Sequence, residues 1–186
     1  MNPFAELTEM LISLYVSVIL LRFFLQYFRA DYYNPMSQFV VKITDPLVKP
    51  ARRIVPGYAG IDFSTLLVAW LVMLLKLIII IAIQHGTLSG IGVIPLLLVS
   101  IIKVFEAAIG LYIFLIFVRV ILSWVAPAGG YNPVFAVIGQ LTEPLMSKVR
   151  GMLPPMGGFD LSPMLLLIGL YFLRSAIAYY LYPLIL

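Results

Sequence analysis

Apolar residues gather into four long stretches, at about residues 4–28, 66–83, 93–125 and 163–186, and polar residues collect between them. Each stretch is long enough to cross roughly 30 Å of hydrocarbon at about 1.5 Å of helix rise per residue. The third is overlong for a perpendicular span, which predicts tilt or a break near Pro95. The segments 29–62 and 126–162 have a different rhythm. Met36, Phe39, Val40 and Ile43 fall at i, i+3, i+4 and i+7, with Gln38 and Lys42 elsewhere, so one apolar stripe runs along a helix. Further on, Leu47, Val48, Ala51, Ile54 and Val55 form a second apolar set opposite Lys49, Arg52 and Arg53. The pattern predicts an all-α membrane protein with four transmembrane helices. Two short amphipathic interfacial helices join the first span to the second, and two more join the third to the fourth.

Composition agrees with that solvent. With 63% hydrophobic residues, 11% charged and a mean hydropathy of +1.10, the chain has too little polar surface to cover a soluble globule. The opening residues MNPFAELTEM lack the positive region of a signal peptide, so the first span is expected to stay. Arg29, Lys42, Lys49, Arg52 and Arg53 lie in one interspan segment and Lys148 and Arg150 in the other, while the middle loop offers only His85. By the positive-inside rule both segments face the cytoplasm and both termini face outward. The net charge of +4 therefore reads as contact with an anionic inner leaflet, and nucleic acid is the weaker partner. The basic face formed by Lys49, Arg52, Arg53, Lys148 and Arg150 is assigned to lipid. Zero cysteines and one histidine leave no basis for thiol catalysis, disulfides or a bis-His metal site. No cofactor is called for, and an enzyme is not expected.

The polar segments repeat. Residues 33–64 and 131–162 match at 11 of 32 positions across an offset of 98. Chance would give about two at ordinary composition. The chain is thus a tandem duplication, with repeats at 1–90 and 91–186 running in the same direction. Asn34-Pro35 and Asn132-Pro133 each place a capping side chain before a proline suited to a first helical turn. Asp45-Pro46 and Glu143-Pro144 repeat the device and predict the start of the second short helix. Asp62 and Ser64, matched by Asp160 and Ser162, are candidate caps of the following span.

Caps do not account for the charges inside the spans. The pattern E-x5-Y-x6-R occurs as Glu9, Tyr15 and Arg22 and again as Glu106, Tyr112 and Arg119. Lys76 and Arg174 also correspond, on the order of 20 Å along their spans from the inner face by helix rise. An ionised side chain at that depth costs roughly 3 kcal/mol and calls for a partner. Lys76 is expected to meet Glu9, and Arg174 to meet Glu106. Arg22 can reach Asp45 or Asp62, and Arg119 can reach Glu143 or Asp160. Such pairs either fix the bundle or line a polar path between spans.

The paired motifs Y-N-P, T-[DE]-P-L, a basic helix ending in [VL]-P, and G-x-D-x-S resemble those of the YggT family of small bacterial membrane proteins, which has plastid relatives. The resemblance covers nearly the whole chain in its two-copy form. Gly151 departs from it, standing where the first copy has Arg53. The resemblance implies a multi-pass protein of the bacterial inner membrane, in which the outward termini expected from the basic segments are periplasmic. It also implies links to osmotic-stress tolerance, to envelope or division organisation, and in plastids to assembly of a haem-bearing cytochrome complex. Two functions fit: a noncatalytic scaffold or assembly factor working with other membrane proteins or as a homo-oligomer, and a small oligomeric channel or transport-associated protein for ions or osmolytes.

Overall fold

The computed structural model describes residues 2–58, 60–86, 92–125, 132–153 and 160–185. Six helices follow one another: α1 (Pro3–Tyr27), α2 (Pro35–Ile54), α3 (Phe63–His85), α4 (Val93–Val125), α5 (Pro133–Arg150) and α6 (Ser162–Ile185). Four of them, α1, α3, α4 and α6, are long and apolar enough to cross a membrane. Tyr131, Pro154, Gly158, most of the expected Pro-Gly turn before Asp160 and the loop after Gly86 lie outside the described residues.

Of the tilt or break expected near Pro95, the break does not occur, since α4 is continuous for 33 residues. The proline sits in the first turn, where its missing N–H has no intrahelical acceptor to lose. The two short helices expected in each polar segment are one helix, because Pro46 lies inside α2 and Pro144 inside α5. Asp45 and Glu143 are consequently mid-helix residues and not caps. An interior proline costs about 3 kcal/mol, so the continuity needs a compensating cause, which is found in the candidate site below.

The other caps sit at helix starts. Asn34 accepts from the Met36 N–H at 2.9 Å and Asn132 from that of Val134 at 2.9 Å. Asp62 is the N-cap of α3, which starts three residues before the predicted 66, and the Ser64 hydroxyl donates to the Asp62 carboxylate. Ahead of α6, Asp160 accepts from the Ser162 N–H at 2.9 Å. A tight turn leads into α3, with Tyr58 and Ile61 exchanging backbone hydrogen bonds of 3.0 Å around Gly60, whose φ of +83° excludes most side chains.

Within each repeat the two spans pack together, α1 on α3 and α4 on α6, and α4 also contacts α1 and α3. The core is built by Val16, Ile19 and Leu20 of α1, Ala69 and Met73 of α3, and Leu111 and Leu115 of α4. The amphipathic helices close one end. Val40 and Val48 of α2 and Val137, Ile138 and Leu141 of α5 join the same core. The buried face of α2 is Ser37, Val40, Thr44 and Val48, whereas Phe39 and Ile43 of the predicted stripe are exposed. The apolar arc of α2 is thus wide enough to touch protein on one flank and leave another uncovered. Among the described residues three polar bonds cross between repeats: Asn34 Nδ2 to the Pro133 carbonyl at 2.8 Å, the Asp31 N–H to Gln140 Oε1 at 3.0 Å, and Trp70 Nε1 to Ser100 Oγ at 2.7 Å. By contrast, among the described residues α6 buries only Ser162, and it packs chiefly on α4 and α5.

Candidate functional site

Tyr15 and Arg22 stand two helical turns apart on one face of α1, and both close on the turn of α2 that precedes Pro46. The Tyr15 hydroxyl donates to the Ile43 carbonyl at 3.3 Å. Arg22 Nη1 donates to the Val41 carbonyl at 3.2 Å, to Thr44 Oγ1 at 2.8 Å and to Asp45 Oδ1 at 2.9 Å. Thr44 in turn donates to the Val40 carbonyl at 2.7 Å. These acceptors flank the Lys42 carbonyl, the one whose i to i−4 donor Pro46 removes. A neutral hydrogen bond contributes about 1 kcal/mol and one to a charged group about 1.5–3. A tyrosine and an arginine bound to this turn together contribute on the order of what the interior Pro46 costs.

The second repeat builds the same clasp. Tyr112 donates to the Leu141 carbonyl at 3.4 Å, Arg119 Nη1 to Thr142 Oγ1 at 2.7 Å, and Arg119 Nη2 to Glu143. Thr142 donates to the Ile138 carbonyl at 2.6 Å. Ile43 and Leu141, Thr44 and Thr142, and Asp45 and Glu143 are each 98 positions apart. Of the two partners open to each arginine, the structure uses Asp45 and Glu143.

A second matched contact clips each amphipathic helix to the next span. Arg52 pairs with Asp62, and Arg150 with Asp160 through Nε at 3.1 Å and Nη2 at 2.7 Å. Arg52 also donates to Gln26 Oε1 at 3.2 Å, and Arg150 to Glu143 Oε1 at 2.9 Å. Lys49 pairs with Asp45 at 2.7 Å. Three of the five basic residues assigned to lipid are thus engaged within the protein. Arg53 and Lys148 are exposed and have no carboxylate partner among the described residues.

The clasp and clip carboxylates titrate accordingly. Burial raises the Asp45 carboxyl, but Lys49 and Arg22 bring it below its ordinary value. Burial likewise opposes Ser64, Thr65 and Arg52 at Asp62, and the hydrogen bonds prevail. Arg119 first, then Arg150, lower Glu143. Ser162, through side chain and backbone N–H, together with Arg150 holds Asp160 down to about 2.

The remaining intramembrane charges meet elsewhere. A cavity of about 590 Å³ opens between α1, α3, α4 and α6, lined by Glu9, Lys76, Lys103, Glu106 and Arg174 together with Ser13 and Ser17. Lys76 Nζ lies 3.1 Å from Glu9 and 2.9 Å from Ser13 Oγ. The expected pair of Arg174 with Glu106 does not form. Glu106 takes Lys103, one turn earlier on its own helix, at 3.0 Å. Sequence reasoning missed Lys103, whose counterpart in the first copy is Glu6, a reversal of sign at matched positions. It also left Tyr15, Tyr112, Thr44 and Thr142 without a role, although their fixed spacing from the arginines and prolines was the available signal.

No solved structure matches this chain. The family model described as CCB3/YggT matches residues 1–83 and again residues 98–181. An uncharacterised protein of Vibrio alginolyticus, encoded in the proC 3′ region, is 41% identical over 173 residues, 92% of this chain and 91% of its own. An uncharacterised protein of Pseudomonas aeruginosa is 44% identical over 158 residues, 85% and 79% of the two chains. The uncharacterised protein YggT of Escherichia coli is 37% identical over 179 residues, 96% and 90%. With both repeats matched and relatives aligned end to end at this identity, the chain belongs to the CCB3/YggT family.

Proposed function

We propose that this chain is a noncatalytic scaffold or assembly and envelope-organisation factor of the bacterial inner membrane, contributing to osmotic-stress tolerance, with both termini in the periplasm. The observation that carries the reading is the duplicated clasp. It seats two amphipathic helices in defined positions against the spans, with α2 and α5 in contact. Held in this way, the pair makes a platform at the inner leaflet whose uncovered apolar residues, among them Ile54 and Met152 at matched positions, are available to other membrane proteins. Arg53 and Lys148 add charge facing anionic lipid.

The test is site-specific photo-crosslinking from Ile54 and from Met152 in native membranes, with topology reporters after Leu186 and beside Arg53. One and the same stoichiometric adduct from both positions, with the Arg53 reporter cytoplasmic and the Leu186 reporter external, is expected. An inverted reporter pattern would overturn the placement. The channel reading draws on the charge-lined cavity, and solute flux through vesicles holding the purified chain, with no adduct in membranes, would replace the scaffold by it.

A further inference from the structure

The cavity between the spans holds three basic side chains, Lys76, Lys103 and Arg174, against two acidic ones, Glu9 and Glu106. Lys76 is matched by Glu9 and Lys103 by Glu106, so one positive charge is left over, and it belongs to Arg174. The guanidinium has no carboxylate or hydrogen-bond acceptor among the described residues. It lines the cavity beside Gly110, with Nη1 at ordinary contact distance, 3.9 Å, from where a Cβ would stand, and Arg174 remains exposed. Arg174 is about 18 Å along α6 from Ser162 by helix rise, well inside the apolar length of the span. A permanently charged guanidinium at that depth is costly without a counter-ion.

The comparison between copies shows how the excess arises. In the first repeat Glu6 and Glu9 stand where the second has Lys103 and Glu106. Lys76 therefore finds a free carboxylate, whereas Glu106 is already engaged by the amine one turn away and Arg174 is released. A guanidinium presents a fork of N–H donors that suits an oxyanion with two accepting oxygens. Ser13 and Ser17 line the same space with hydroxyls, and Leu14, Val18 and Phe114 continue it as apolar wall.

We propose that this cavity is a binding site for a phosphate-class oxyanion, held by the Arg174 guanidinium, the excess positive charge of the cavity, with the Ser13 and Ser17 hydroxyls in the same space. The shared chemistry is a phosphate group, and either free phosphate or the headgroup of a phospholipid whose chains follow the apolar wall can bring it. The site is independent of the scaffold reading, since it lies between the spans and not on the amphipathic platform.

The test uses the full chain purified in detergent. Inorganic phosphate is titrated against the delipidated protein by calorimetry, and native mass spectrometry of gently extracted protein reports retained phospholipid. Wild type is expected to bind phosphate, to retain a phospholipid, or both, and Arg174→Gln to weaken whichever is seen about tenfold or more. Glu106→Gln removes a negative charge and releases Lys103, so it is expected to bind at least as tightly as wild type. Phosphate binding without retained lipid identifies a soluble anion, and retained lipid that phosphate does not displace identifies the membrane as the source. Absence of both in wild type, an Arg174→Gln variant that binds as wild type does, or a Glu106→Gln variant as weak as Arg174→Gln would overturn the proposal.

Discussion

Arg22 gathers three acceptors onto a single nitrogen, whereas Arg119 divides its two bonds between two nitrogens. One guanidinium nitrogen carries two hydrogens, so three acceptors around Arg22 Nη1 must share them, while an ammonium carries three. Lysine is therefore expected to restore most of the stability lost in Arg22→Ala but little of that lost in Arg119→Ala, as read by thermal unfolding in detergent. The alanine variants should also differ. The Arg22 side chain is 6% exposed, and its removal gives up three bonds and leaves Asp45 to Lys49 alone, at a cost of about 3 kcal/mol. The Arg119 pair, with Glu143 46% exposed, should lose about 1 kcal/mol. Equal losses at the two sites, or equal rescue by lysine, would contradict this account. The carboxylates give a further test. Their folded pKa values lie below the ordinary ones, so they stabilise the fold above the unfolded value, and that stability is lost as pH falls through the folded value. For Asp160 the window runs from 3.8 to about 2. The unfolding temperature should fall across it, and Asp160→Asn should flatten that fall; an unchanged slope would show that the Arg150 clip contributes nothing.

Helix boundaries show what a local pattern can and cannot decide. The spans and the Asn-Pro starts were legible because hydropathy and capping chemistry are both short-range, and they place α1, α4 and α6 and the starts of α2 and α5 within a residue or two. Thr-Asp-Pro and Thr-Glu-Pro are ambiguous at that range. The same three residues suit a new helix with a cap and a first-turn proline, or a continuous helix whose opened turn is served from outside. The choice rests with Tyr15 and Arg22, some two dozen or more residues earlier in the chain, and no window on α2 alone contains them. The coupling can be measured. Tyr15→Phe should cost about 1 kcal/mol in the native background, and much less beside Pro46→Ala, where the restored N–H closes the turn. Additive losses in that double-mutant cycle, followed by unfolding in detergent, would mean that tyrosine and proline act separately. The Lys103 and Glu106 pair is the complementary case. It is as local as a contact can be, three residues along α4, yet the repeat pattern does not carry it, because Lys103 matches Glu6 in the other copy.

Across the whole molecule the duplicated contacts divide cleanly. Tyr15 and Arg22 close on α2, Arg52 on Asp62, Tyr112 and Arg119 on α5, and Arg150 on Asp160, so each lies on one side of the segment 87–91. What crosses between the halves is of another kind, a packed apolar seam along α1, α3 and α4 with the bonds of Asn34, Asp31 and Trp70. Among the described residues, covalent continuity through that segment is not what seats either amphipathic helix. A gene severed there would encode two pieces, each carrying the contacts that shape it, and their reunion in the bilayer would be an encounter between finished parts. Two such units need only be joined in tandem, and each is then free to carry its own charges inside the bilayer, Glu6 in one and Lys103 in the other.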